Sequence, residues 1–176
     1  MIPAGTGGLA AAGGALAAAL ACAWLVRRVR RRLVVVTVEG SSMAPTLGDG
    51  DVVLVRRRGL GRLSVGDLVV VESPVPPVAR PDWTWPDADE PPERRGWMVK
   101  RLAALPGQPW PAACADRHGR LPDGMIAVLG DNAAASVDSR QMGAVPGDRV
   151  LGVVVRRMAT GRRPVTSPQL QEFSAR

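Results

Sequence analysis

The stretch "VEGSSMAPTLGDGDVVLVRRR" (38–58) sets two adjacent hydroxyls, Ser41 and Ser42, between two strand-like apolar runs. Pro45 biases Ala44 toward extended backbone and has no N–H to give a sheet ladder, so strand pairing ends here and Ser42 falls on an exposed bend at a strand end. A serine hydroxyl becomes a nucleophile only when a base takes its proton. His118 is the only histidine and lies in "DRHGR", a polar turn where an imidazole is ordinarily solvated, which argues against a Ser-His-Asp arrangement. Lysine is the other possible base. Of the 23 Lys and Arg residues, 22 are arginine, whose guanidinium keeps its proton in proteins, and one is Lys100, in "WMVKRLAALPG". An arginine-biased composition also accounts for a single lysine. Its flanks add weight: Trp97, Met98, Val99, Leu102 and Leu105 supply the apolar surroundings that desolvate an ammonium and lower its pKa.

These residues need a scaffold. The runs "LVVVTVEG", "DVVLVRR", "DLVVVES", "WMVKRLAAL", "MIAVLGD" and "DRVLGVVVRR" are β-branched and separated by Gly, Pro, Asp and Ser, which predicts short strands in a mostly β, barrel-like domain. Two stretches interrupt the pattern. Residues 73–96 hold seven prolines and clustered charge and read as a long excursion; residues 107–124 read as a shorter loop. From Pro3 to Val26 no side chain is charged, about the length a membrane-spanning helix needs. The arginines of "RRVRRR" (27–32) follow this run, whereas a cleavable signal peptide carries its positive charge ahead of the apolar core, so a retained anchor is expected. The expected organisation is an anchor with an Arg-rich flank over 1–32, a β-rich domain over 33–158 and a tail over 159–176. Cys22 and Cys114 do not make a disulfide framework. The net charge of +7 comes from short arginine clusters with no interleaved aromatics or zinc-ligand spacing, which argues against nucleic-acid binding.

In order and form, "GSSMAPTL", "GDLVVV", "VKRLAALPG" and "LGDNAAASVDSRQMGAVP" resemble the motifs of the type I signal peptidases, membrane-bound serine endopeptidases that remove signal peptides from exported proteins. The resemblance covers Thr37 to Arg157. It implies a compact antiparallel β domain of signal-peptidase type with one N-terminal transmembrane helix. It also implies a Ser/Lys dyad, with Ser42 as nucleophile and Lys100 as general base. Met43 and Pro45 match positions that shape the nucleophile bend. The family's oxyanion hole includes the backbone N–H of the nucleophile, here Ser42. Many members add a serine hydroxyl two residues earlier, where this chain has Gly40, which leaves the second donor to Ser41, a backbone amide or water. Ser136 matches a serine that orients the lysine amine, and Asp138 and Arg140 match a structural pair beside the site, with Asp131 and Asn132 in support. Read without the family, Gly-Asp-Asn is a turn and Asp138 with Arg140 a surface ion pair of little worth. The resemblance implies no cofactor and no metal. Its partners are the lipid bilayer and a secretory precursor or leader peptide bound as an extended strand, with small residues one and three positions before the cut.

The chain departs from the family in three places. Gln108 follows Pro106 and Gly107 where an aspartate is common. Residues 107–124 are shorter than the strand-rich insertion of larger relatives, so a reduced accessory loop is expected. Trp83 and Trp85, in the proline-rich excursion, match no motif and either dock on membrane or substrate or cover a core edge. Charge and chemistry also disagree on topology. Arginines after the span place the domain on the cytoplasmic side by the positive-inside rule, whereas removal of signal peptides requires the extracytoplasmic face, and the latter is expected here for a single-pass protein of the cell membrane. The alternatives are a dedicated maturation peptidase for one exported or modified peptide and an inactive membrane-anchored binding module. A self-cleaving repressor-type Ser/Lys protease would carry a helical DNA-binding domain in place of the apolar run.

Overall fold

The computed structural model describes residues 19–24, 27, 32–75, 83–85 and 96–160. Residues 19–24 are helical; most of the apolar run over 3–26 and all of 161–176 lie outside the described residues. Among the described residues no helix is long and apolar enough to cross a membrane.

The six β-branched runs each form a strand: β1 (Leu33–Thr37), β2 (Val52–Arg57), β3 (Leu68–Glu72), β4 (Trp97–Ala104), β5 (Met125–Leu129) and, after a two-residue β6 (Val145–Pro146), β7 (Val150–Ala159). No sequence pattern announces β6, whose two residues pair with Met125 and Ile126. The strands make one curled antiparallel sheet in the order β1-β2-β7-β3-β4-β5-β6. Register shifts in β2–β7, β3–β7 and β4–β5 mark the irregularities that bend such a ladder. At the bend between β2 and β7, Gly152 lies so close to the Arg56 carbonyl that a Cβ would have no room.

β3 reads as a continuous apolar run because both of its faces are covered. Val69 and Val71 pack with Leu102, Ile126 and Val128 on one side, while Val70 packs with Val38, Met43, Val53, Val55 and Val99 on the other. Burial of each such side chain contributes roughly 1.5–3 kcal/mol before chain entropy is counted. Trp83 and Trp85 pack against the first of these clusters, so they cover a core edge. The 107–124 loop is tied to the domain by a Pro109–Arg120 bridge, by buried Cys114 and Leu121, and by Trp110, which packs beside Ala104 and carries Arg117 over its ring at 5.2 Å.

Two sheet edges are left open beside one another. Among the described residues β1 pairs with β2 alone, and β5 pairs with β4 only at Arg101, Leu102 and Ala104, so Trp97 to Lys100 have no strand partner on that side. A cleft of about 510 Å³ is lined by both edges, from Val36 to Met43 on one wall and from Trp97 to Lys100 on the other.

Candidate active site

The first wall begins where β1 ends. Val38 continues the ladder by exchanging backbone hydrogen bonds with Asp51 and Gly50, both at 2.8 Å. The chain then turns at Gly40, whose φ of +81° suits glycine and whose N–H is held by the Asp49 carboxylate at 2.8 Å. Residues 41–47 form tight turns in which Ala44 N–H donates to Ser41 O and Leu47 N–H to Met43 O, and the Ala44–Pro45 peptide is cis. Met43 and Leu47, 1% and 3% exposed, fix this turn in the second core cluster. Ser42, next to Met43, is therefore half-buried and held at the cleft wall, while Ser41 is exposed beside it. Among the described residues the Ser42 N–H donates to no other group.

The second wall is β4. Its alternation carries Met98, Lys100 and Leu102 on one face, and Lys100 is only 3% exposed. The Lys100 Nζ donates to Ser136 Oγ at 3.0 Å, and Ser136 Oγ donates in turn to Asp138 Oδ2 at 2.8 Å. Asp138 is fully buried and also accepts from Gly130 N at 2.7 Å and from the Arg140 guanidinium through Nε at 2.9 Å and Nη2 at 2.6 Å. Asp138 with Arg140 is thus a buried junction, not the surface pair that composition alone suggests. Asp138 additionally caps the one-turn helix Ser139–Met142, and Ser139 Oγ accepts from Val128 N at 2.9 Å, which moors that helix to β5.

These surroundings set the charges. Burial holds the Lys100 amine below its ordinary pKa of 10.5; the Asp138 carboxylate opposes this and the Arg140 charge adds to it. Burial works to raise Asp138, but the hydrogen bonds from Arg140, Gly130 and Ser136 outweigh it and hold the carboxyl below its usual range. An ionised Asp138 accepts the only Ser136 proton, so the Ser136 oxygen offers lone pairs to the amine. A neutral Lys100 held this way keeps its own lone pair for another group.

Gly130, Asp131 and Asn132 join the two walls. A Cβ on Gly130 would fall 2.5 Å from Ser136 Cβ and 2.7 Å from Ser42 O, so only glycine lets these segments meet. Asp131 grips Arg101, the neighbour of Lys100, through Arg101 Nε at 2.8 Å and Nη2 at 2.6 Å, and accepts from the Thr46 hydroxyl as well. Asn132 donates from its backbone to Ser42 O at 3.0 Å and from its side chain to Ser41 O at 3.1 Å.

With that geometry in place, comparison with known proteins is decisive. The family model "Signal peptidase, peptidase S26" matches residues 10–109 and 111–159. The chain belongs to this signal peptidase family. It is 30% identical over 130 residues to the "Mitochondrial ATP-independent inner membrane protease subunit 1a" of Arabidopsis thaliana, covering 69% of this chain and 67% of the plant protein. It is also 30% identical over 130 residues to the "Mitochondrial inner membrane protease subunit 1" of Xenopus tropicalis, covering 70% of this chain and 68% of the frog protein. The protein is accordingly a serine peptidase of the signal peptidase I type.

In this signal peptidase family member the cleft gathers Gly40, Ser41, Ser42, Met43 and Lys100 along its walls. Ser136, Asp138 and Arg140 extend behind Lys100, and Asp131 and Asn132 lie behind the serines. His118 is exposed on the 107–124 loop and lines no part of the cleft. Sequence reasoning missed Gly130, Arg101 and Thr46. Gly130 and Thr46 sat inside quoted motifs, but nothing in a motif says that a Cβ is excluded or that a threonine meets an aspartate from another strand. Arg101 was hidden among many arginines.

Proposed function

We propose that this chain is a membrane-anchored endopeptidase that cleaves signal or leader peptides from exported precursors with a Ser42/Lys100 dyad. The observation that carries the reading is the buried Lys100 amine, held by Ser136 in the same cleft that Ser42 lines. The neutral amine takes the Ser42 proton as Oγ attacks the scissile carbonyl, and the Ser42 N–H stabilises the oxyanion. The Lys100 ammonium then protonates the leaving amine, giving an ester on Ser42. A water deprotonated by Lys100 hydrolyses that ester and restores the serine.

The precursor lies as an extended strand between the two open edges, β1 with its turn on one side and Trp97 to Lys100 on the other. Val36, Val38 and Val99 are among the apolar residues that line this cleft, and we assign them to small residues one and three positions before the cut. The relatives' names place them at an inner membrane; here the apolar run over 3–26 serves as a single-pass anchor with the catalytic domain on the extracytoplasmic face, where the precursor's cut site emerges. Incubating the detergent-solubilised protein with candidate precursors and locating the cut by mass spectrometry tests the reading. A single cut after small residues, absent in Ser42→Ala, is expected; no cut, or a cut unchanged in Ser42→Ala, overturns it.

A further inference from the structure

β1 and the residues that continue it alternate between two faces. Val34, Val36 and Val38 pack toward the second core cluster, whereas Val35, Thr37 and Glu39 are exposed on the opposite face. Glu39 therefore stands on the wall of the catalytic cleft between core-facing Val38 and the turn at Gly40, with its side chain on the outer face. Among the described residues that line the cleft, Glu39 and Lys100 are the only two with an ionisable side chain. Lys100 is not the partner of Glu39: its amine donates to Ser136, and the charges that act on it are those of Asp138 and Arg140. In a chain of net charge +7, the cleft thus presents a carboxylate on the wall that carries Ser42.

The topology fixes which precursor residue meets that carboxylate. The pairings β1–β2, β2–β7, β7–β3 and β3–β4 are all antiparallel, so β1 and β4, on opposite walls, run in the same direction, from Leu33 and Trp97 toward Ser42 and Lys100. The inference rests on the functional reading above, in which the residues before the cut fill the groove behind Ser42 and present their last carbonyl to it. The precursor then runs parallel to β1 and β4 and advances in step with them, about 3.3 Å per residue. With residues one and three positions before the cut turned to Val36, Val38 and Val99, the period of two turns the residue between them to the outer face. Glu39 is the side chain that β1 and its turn place there, and Thr37, one step back on the same face, falls beside the fourth position.

We propose that Glu39 selects precursors with a lysine or arginine two positions before the cut, whose cationic side chain leaves the cleft on the outer face and pairs with the Glu39 carboxylate. Such a pair is exposed, so the selection is graded and not absolute: about two- to fivefold for a cation over a neutral residue, with a like charge disfavoured to a similar extent. The pair lies away from the reacting atoms and is made equally in the bound precursor and in the transition state, so it acts through KM and leaves kcat nearly alone.

The test uses the detergent-solubilised full chain and precursor peptides with alanine one and three positions before the cut, identical except for Lys, Gln or Glu at position two. For the wild type, kcat/KM should fall in the order Lys, Gln, Glu by about two- to fivefold per step, chiefly through KM, and raised salt should compress the series. Glu39→Gln should flatten the series and Glu39→Lys should invert it, and both variants should keep the wild-type unfolding midpoint because Glu39 is exposed. The same three residues placed at position four, or directly after the cut, serve as the comparison. A wild type indifferent to charge at position two, or an order that survives Glu39→Lys, overturns the proposal. An inversion in Glu39→Lys that follows position four or the residue after the cut, and not position two, overturns it as well, because the carboxylate then faces another part of the precursor. A Ser42-dependent cut indifferent to charge at position two refutes this inference alone, whereas the absence of any cut that Ser42→Ala abolishes refutes the functional reading and this inference with it.

Discussion

Lys100 and Ser136 are joined by a 3.0 Å hydrogen bond in which the buried amine donates and the hydroxyl accepts, because the Ser136 proton is already committed to Asp138. The relay fixes the amine while keeping the carboxylate off it: Asp138 reaches Lys100 through the Ser136 hydroxyl, and its charge is engaged by Arg140. A carboxylate in direct contact would hold the ammonium protonated, whereas an intervening hydroxyl orients the amine and leaves burial to lower its pKa.

Ser136→Ala therefore removes a positioning contact and none of the reacting atoms. We expect kcat to fall by about 10- to 100-fold with KM nearly unchanged. Ser136→Thr, which keeps the hydroxyl, should recover part of the loss. Steady-state kinetics on a mapped precursor checks this, and an unchanged kcat in Ser136→Ala would show that the hydrogen bond is incidental.

The depressed Lys100 pKa also bears on stability. The unfolded chain binds the lysine proton up to an ordinary pKa of 10.5, while the folded state releases it earlier. Between the two values the unfolded state holds more protons, so this group makes unfolding harder as pH rises through that window and weakens the fold below it. Each pKa unit of depression is worth about 1.4 kcal/mol. Lys100→Met, of similar length and uncharged, should raise the unfolding midpoint near neutral pH while abolishing cleavage. A lower midpoint than wild type would contradict a buried, destabilising ammonium.

Gly130→Ala should disrupt both walls at once. The new Cβ meets Ser136 and the Ser42 carbonyl, and relieving that overlap costs about 1–3 kcal/mol. Activity should fall further than stability alone explains, because the displaced groups are the serine turn and the partner of Lys100. Calorimetry alongside cleavage kinetics separates the two effects, and a variant with wild-type kinetics would remove Gly130 from the site.

The strands, and Ser42 and Lys100 as candidates that line the same cleft, were legible because each rests on local chemistry. β-branched runs make strands, a proline after Ser-Met-Ala interrupts one, and the chain's one lysine sits among apolar neighbours. What was not legible depends on contacts between distant segments. Arg101 matters because Asp131, thirty residues on, closes on it; Thr46 joins the same carboxylate from the serine turn. β6 is too short to leave a pattern, and its pairing with β5 is supplied by the fold around it.

Asp131→Asn should break the clamp that ties β4 to the serine turn. Its hydrogen bonds with Arg101, chiefly, hold the Asp131 pKa below the usual carboxylate value. The stability this pair contributes is present above the unfolded carboxylate pKa and is lost as pH falls through the folded one. Because Arg101 is 38% exposed, solvent screening keeps the direct cost to about 1 kcal/mol or less. The kinetic cost should be larger, about tenfold in kcat, and insensitive to salt. A variant with full activity would show that Asn132 alone secures the turn.

Cleavage of a mapped precursor by Lys100→Arg across pH tests the central claim most directly. Arginine keeps the positive charge and most of the length but cannot surrender its proton. If neutral Lys100 is the base for Ser42, Lys100→Arg loses at least about 10²–10⁴-fold in kcat/KM at every pH, while wild-type activity falls on the acid side through one ionisation placed below the ordinary lysine value. Substantial turnover by Lys100→Arg, or a wild-type profile that stays flat into the acid range, would contradict the assignment of Lys100 as the general base.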